Sequence, residues 1–209
     1  MAAQPTADTV GGPVVVIVKV AKPWYAPNWL VVRKMRQAVP QYRQIPGLTF
    51  KIFSLARPNG EFGGIYLWQD RTTAQAWFGP VWYKRVRDER GVEPEVRMFD
   101  ASKVFDRTSG MDVAVLEGAV ATVITIPRTG ANTGMPPIDL QVPGLLRAYL
   151  IDTPDGRTGG IYLWRNEATA KRSLDADWRR RQQTVHGTAA KIEWFDAPIL
   201  LPSALPNVR

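Results

Sequence analysis

Cysteine is absent from the 209 residues, which removes disulfides, thiolate metal sites and cysteine nucleophiles together. Histidine is nearly absent. His186 alone offers no HExxH pair and no second imidazole for a typical zinc site, so no metal centre is expected. Beside Gly187, it reads as part of a solvent-exposed turn, without a catalytic role. No apolar run is long enough to cross a bilayer, so no membrane partner is expected. The longest, Val14 to Val18 and on past Lys19 to Val20, reads as a buried β-branched strand. The opening MAAQPTADTVGG lacks a basic segment followed by an apolar one and reads as a disordered tail, which favours a cytoplasmic location over export. No Walker loop or dinucleotide fingerprint follows a strand.

Charge of one sign is in excess: 27 Lys and Arg against 19 Asp and Glu, a net charge of +8. Much of it sits in short runs such as Lys84, Arg85, Arg87 and Arg179 to Arg181, which read as solvated helix faces. Without a long basic tract or an Arg/Gly-rich segment, no nucleic-acid partner is expected.

What the chain does contain is a repeat. GGIYLW occurs at Gly63 to Trp68 and again at Gly159 to Trp164, a spacing of 159 − 63 = 96. The same spacing of 96 relates Pro58-Asn59-Gly60 to Pro154-Asp155-Gly156, Trp82 to Trp178, and Phe99-Asp100-Ala101 to Phe195-Asp196-Ala197. The spacing indicates a tandem duplication of a unit near 95 residues. Units at 13–108 and 109–203 are expected, with tails at 1–12 and 204–209.

Each unit reads as βαββαβ. In the first, a strand over Val14 to Val20 precedes a helix over Leu30 to Val39. A hairpin follows, Leu48 to Leu55 and Gly63 to Gln69, with Asn59-Gly60 in its connection. Asp70 caps a second helix whose inner stripe is Ala74, Phe78, Trp82 and Arg85, kinked at Gly79-Pro80. Glu93 to Ala101 closes the unit. Asn166, the stripe Ala170, Leu174, Trp178 and Arg181, and the strand Ala189 to Ala197 repeat the plan. Asp100 and Asp196, at corresponding strand ends, read as turn caps.

Such a unit folds as an antiparallel sheet with both helices on one face, the ferredoxin-like arrangement. The other face is apolar and must be covered. The second copy can cover it, so the fold class expected is α+β: two fused ferredoxin-like units forming an intramolecular dimeric α/β barrel, a pseudo-dimer that needs no second chain. The copies are not equal. Arg128 to Gln141, with Gly130, Gly134, Pro136 and Pro137, leaves little room for a first helix in the second unit, so a working cavity is expected in the first alone.

The run from PGL through FKIF, GGIYLW, Asp70 and GVEPEV to FD resembles the YdhR-type mono-oxygenases of the dimeric α/β-barrel superfamily, and VPGL, GGIYLW and WFDAP resemble them more weakly. The resemblance implies a relationship to enzymes that oxidise polycyclic aromatic substrates with O2 without metal or flavin, and to haem-degrading enzymes, with the ligand held between sheet and helices. It implies no cofactor here. Trp68 and Trp164 are similar to a Trp near the end of strand three in those patterns. Their helical His is replaced by Trp77 and Ser173, which argues against haem degradation.

Along GGIYLW, Ile65 and Leu67 share one strand face, and Tyr66 and Trp68 the other. The aliphatic face suits the barrel interior. The aromatic face would look toward the helices, where it either lines a pocket for flat substrates or simply fills the core. Tyr66 and Trp68 are therefore the catalytic candidates. Trp24, Tyr25, Trp29, Arg33, Phe78 and Trp82 are the substrate-binding candidates, with Tyr162, Trp164 and Trp178 as second-unit counterparts. The function expected is a monooxygenase-like enzyme for a small apolar, aromatic or polyketide-like molecule. A non-catalytic ligand-binding protein, or an isomerase or cyclase using the same pocket, is the alternative.

Overall fold

The computed structural model describes residues 11–108, 112, 114–128 and 138–202. Both predicted tails, apart from Gly11 and Gly12, and most of the Arg128 to Gln141 loop lie outside the described residues. The elements run β1 (Val14–Val20), α1 (Asn28–Arg43), β2 (Leu48–Ala56), β3 (Phe62–Trp68), α2 (Arg71–Trp77), α3 (Pro80–Arg90) and β4 (Glu95–Asp106). They continue with β5 (Ala114–Val115), β6 (Val120–Pro127), β7 (Leu145–Asp152), β8 (Arg157–Trp164), α4 (Glu167–Ser173), α5 (Ala176–His186) and β9 (Lys191–Pro202).

The strands order as β2-β3-β1-β4 and β7-β8-β6-β9, and both halves belong to one antiparallel sheet. Within each half this is the ferredoxin-like order. Two further pairings join the halves: β4 with β7, and β9 with β2. Each final strand thus outruns its own unit, ending at Asp106 and Pro202, where sequence periodicity stops at Ala101 and Ala197. The extra residues gain their ladder partners from the other half, closing the eight long strands into a barrel with β5 appended to β9. Closure leaves these strands no free edge.

Four apolar clusters follow from strand alternation, one of them, Met35, Phe53, Leu55, Ile199 and Leu201, under α1. The barrel interior holds Ile17, Ile52, Ile65, Leu67, Phe99, Tyr149, Ile161, Leu163 and Phe195, all buried. Outside it, under α2 and α3, lie Val14, Val16, Tyr66, Trp68, Ala74, Phe78 and Trp82. Under α4 and α5 lie Val120, Tyr162, Trp164, Ala170, Leu174 and Trp178. Ile65 and Leu67 thus face the barrel, and Tyr66 and Trp68 face the helices.

The paired glycines of GGIYLW have a steric cause. A Cβ on Gly63 would stand 2.0 Å from the Val18 carbonyl oxygen, and one on Gly159 1.9 Å from that of Ile124. On Gly64 it would stand 2.9 Å from the Ile52 carbonyl oxygen and 3.1 Å from the Tyr66 ring, and on Gly160 2.5 Å from the Tyr162 hydroxyl oxygen and 2.6 Å from its ring.

The second helix of each unit differs from expectation. At Gly79-Pro80 it is divided, not kinked: α2 ends at Trp77, and α3 starts with Pro80 where no N–H partner is needed. The corresponding break falls at Leu174-Asp175, where the Asp175 carboxylate accepts the Trp178 N–H at 2.7 Å. The stripe consequently continues into Gln182 and His186, both buried, while Arg181 and Arg85 are exposed. His186 is the last residue of α5 and packs inward, contrary to the exposed turn expected of it. Asp70 and Asn166 do cap α2 and α4, accepting the Thr73 and Thr169 N–H groups at 2.7 and 2.9 Å. Asn166→Ala is expected to lower stability by about 1 kcal/mol in urea denaturation. Asp100 and Asp196 lie within strands and pair with Arg71 and Arg57.

One mouth of the barrel carries charge. Arg97 on β4 and Glu193 on β9 form a two-pronged ion pair at 2.7 and 2.8 Å, with Lys19 and Glu95 beside it. The two residues are 193 − 97 = 96 apart and occupy corresponding places, Arg97 opposite Ile17 of β1 and Glu193 opposite Val123 of β6.

Candidate functional site

In the first unit the sheet and the helices part to leave a cavity of about 470 Å³. Its walls come from β1 (Val18, Val20), α1 (Val31, Met35, Tyr42), β2 (Lys51, Phe53), β3 (Tyr66) and α3 (Trp82, Val86). The volume suits a molecule of several fused or linked rings. Its mouth is edged by Lys22, Tyr25, Lys34, Arg85, Glu89 and Arg90.

A lysine sits in the inner wall. Lys51 alternates with Phe50 and Ile52 of the barrel interior, so its side chain emerges on the helix side, opposite Tyr66 of β3. Only 1% of it is exposed. Nζ donates to the Tyr66 hydroxyl at 2.6 Å and lies 3.3 Å from the centre of the Tyr42 ring and 4.2 Å from that of Phe53. No carboxylate pairs with Lys51 in any described contact. Burial therefore pulls its ammonium well below the ordinary lysine value, against the partial support of the ring faces. Burial also holds the Tyr66 phenol well above its usual value, and Tyr42, whose hydroxyl contacts that of Tyr66, is raised for the same reason. Burial thus favours a neutral amine beside a protonated phenol. That combination supplies a base and a hydrogen-bond donor within one contact distance.

The predicted residues divide around this centre. Tyr66 and Trp82 line the cavity. Phe78 and Trp68 stand behind it, with Phe78 edge to face against three rings: 5.4 Å from Tyr66, 5.7 Å from Trp68 and 5.0 Å from Trp82. The Trp68 Nε1 is buried and has no acceptor among the described residues. Its counterpart, Trp164 Nε1, donates to Thr122 at 3.0 Å, and strand register puts Val16 in the place of Thr122. Tyr25 edges the mouth, Trp24 and Trp29 point into solvent beside it, and Arg33 is exposed on α1 away from the walls.

Lys51, Tyr42 and Phe53 were not singled out by the sequence reading. One signal was present: Lys51 shares its strand face with Phe53 and Leu55, so a lone charge interrupts an otherwise apolar row. In the second unit register places Ala148 opposite Tyr162, where Lys51 stands opposite Tyr66. There Tyr162, Trp164, Leu174 and Trp178 close into one buried cluster with Ala148 and Ile138. The amine is unique to the first unit.

A barrel closed from two ferredoxin-like sheets, with a ligand-sized space between sheet and helices, defines the class: this is a dimeric α/β barrel carried on one chain. Residues 18–109 match the sequence profile of the family described as "Putative mono-oxygenase ydhR". The sequence has no match among curated proteins. Among solved structures, a protein described as a putative monooxygenase from Fusobacterium nucleatum is similar over 93% of this chain and 96% of its own, at 10% identity and a TM-score of 0.67. A putative monooxygenase from Lactobacillus acidophilus NCFM is similar over 91% and 96%, at 10% identity and a TM-score of 0.58. An anthrone oxidase-like protein is similar over 92% and 94%, at 9% identity and a TM-score of 0.58. Each likeness spans both halves of the barrel, and at these identities it concerns the fold.

Proposed function

We propose that the protein is a monooxygenase-like enzyme that oxidises a small apolar, ring-bearing molecule with O2 in the cavity of the first unit. The observation that carries this reading is the buried Lys51–Tyr66 pair in the wall of an apolar cavity. A substrate with an acidic C–H between rings, or a phenol conjugated to one, gives its proton to the Lys51 amine. The Tyr66 hydroxyl, kept protonated by burial, donates to the oxygen on which negative charge collects. The carbanion then forms a C–O bond to O2, and the proton on Lys51 completes a hydroperoxide. Loss of water leaves the carbonyl, so that CH2 + O2 gives C=O + H2O. This chemistry draws its electrons from the substrate and needs no metal or flavin. The second unit, with Ala148 in place of the amine, has a structural role in this scheme.

Oxygen uptake with anthrone-type and hydroxynaphthalene substrates is the direct test. Turnover is expected to fall as pH drops, because protonation removes the base, with the midpoint displaced below that of an ordinary lysine by burial. Tyr66→Phe should lower kcat by about tenfold to a hundredfold with little change in KM, since the lost donor acts on developing charge. Binding without oxygen uptake for every such substrate would instead identify a ligand-binding protein.

A further inference from the structure

The lip of the cavity is built unlike the rest of the surface. Pro23 to Ala26 form a turn, closed by the Ala26 N–H to the Pro23 carbonyl at 2.9 Å, that turns Trp24 and Tyr25 outward with their rings edge to face at 5.8 Å. Trp24 is 93% exposed, Tyr25 70% and Trp29 66%. Three large aromatic side chains within six residues therefore face water, where no packing among the described residues accounts for them. Tyr25 itself edges the cavity, and so do its neighbours Pro23 and Leu30, so the aromatic patch and the mouth are continuous.

Charge on this segment is one-sided. No acidic residue occurs between Asp8 and Glu61, while eight Lys and Arg do; of these Lys51 is buried and Lys19, Arg43 and Arg57 pair with carboxylates elsewhere, which leaves four near the lip. Lys22, Arg33, Lys34 and Arg36 flank the aromatics, and of these Lys22 and Lys34 stand at the mouth. Asp88 and Glu89 on α3 oppose them, with Arg85, Arg87 and Arg90 interspersed.

Trp and Tyr rings bordered by cations have the composition of a segment that seats in the headgroup layer of an anionic bilayer: the rings enter the interface and the cations meet lipid phosphates. We propose that the Trp24–Trp29 lip docks on an anionic lipid surface. The mouth then opens against the membrane, and an apolar ligand passes between bilayer and cavity without crossing bulk water. Docking depends on the lip alone; ligand transfer rests on the reading of the cavity as a substrate site.

The test is sedimentation of the full-length protein with vesicles of phosphatidylglycerol or of phosphatidylcholine, followed in parallel by tryptophan emission. Binding is expected on phosphatidylglycerol, with a blue shift and loss at high salt, and little on phosphatidylcholine. The double variant Trp24→Ser/Trp29→Ser, with its melting temperature checked against the wild type, should bind about tenfold more weakly or worse. Absence of binding to phosphatidylglycerol would overturn the proposal. So would binding that the double variant leaves unchanged, equal affinity for a single-stranded DNA that displaces the vesicles, or light scattering that shows the lip holding two copies together. Oxygen uptake in detergent, measured on the same variant, is independent of docking and separates failure here from failure of the enzymatic reading.

Discussion

Lys51→Met is expected to make the protein more stable and to abolish most of its turnover. In the wild type the amine occupies a wall of aromatic and aliphatic groups with one neutral hydrogen-bond partner, Tyr66, and no counter-charge among the described residues. Methionine has a similar length, fits the same slot, and leaves Tyr66 in contact with Tyr42. Removing an incompletely compensated polar group from such a place is worth roughly 1–3 kcal/mol. The gain depends on pH. Between the lowered pKa of Lys51 in the fold and its ordinary 10.5 in the unfolded chain, the unfolded state binds more protons, so wild-type stability rises with pH through that window. The cost of the buried amine is full below the window and absent above it. Urea midpoints measured across neutral and alkaline pH should therefore rise for the wild type and stay flatter for Lys51→Met. Turnover should drop by about 10² to 10⁴, the usual contribution of a positioned general base. If the variant is no more stable and retains its oxygen uptake, Lys51 is neither strained nor functional.

Gly159→Ala is the second substitution with a large expected effect, and it acts through the backbone. The added methyl would stand 1.9 Å from the Ile124 carbonyl oxygen, 2.9 Å from its carbon and 3.0 Å from the Thr125 Cα, all main-chain atoms of the neighbouring strand. No side-chain rotation relieves that overlap, so β6 and β8 must separate where they are paired and buried. A loss on the order of 3–5 kcal/mol is expected, with a fall in melting temperature of about 10 °C. Gly156→Ala, in the exposed turn at φ 74°, meets no neighbour and should cost only about 1 kcal/mol. A calorimetric scan of the two variants would show whether close strand approach, and not turn geometry, is what GGIYLW protects.

Much of this architecture could be read from the chain because alternation and spacing carry it. GGIYLW assigns Ile65 and Leu67 to one face and Tyr66 and Trp68 to the other, and the burial clusters agree. The length of β4 and β9 could not be read, since Ser102 to Asp106 and Pro198 to Pro202 owe their strand conformation to partners in the opposite half. The division of the second helix was underestimated because Gly79-Pro80 serves equally as a kink or as the start of a new helix. The site was half legible. Aromatic residues announce a pocket, but Lys51 looks like any lysine in a strand until the face it shares with Phe53 is known to lie under α1. Trp24 and Trp29 are legible as aromatics in the loop leading into α1, but their exposure depends on neighbours the chain order does not show.

The Arg97–Glu193 pair at the barrel mouth carries a further meaning. Two identical units meeting about a twofold axis would bring a residue against its own copy at this point, arginine on arginine or glutamate on glutamate, inside a partly closed space. On one chain the two positions carry opposite charges, so each half suits the other and repels itself. The linkage between the halves is thus reinforced by chemistry: a first unit offered a choice between another first unit and its covalent neighbour has an electrostatic reason to choose the neighbour, and the Lys51 wall is always assembled against the half that has Ala148 in its place.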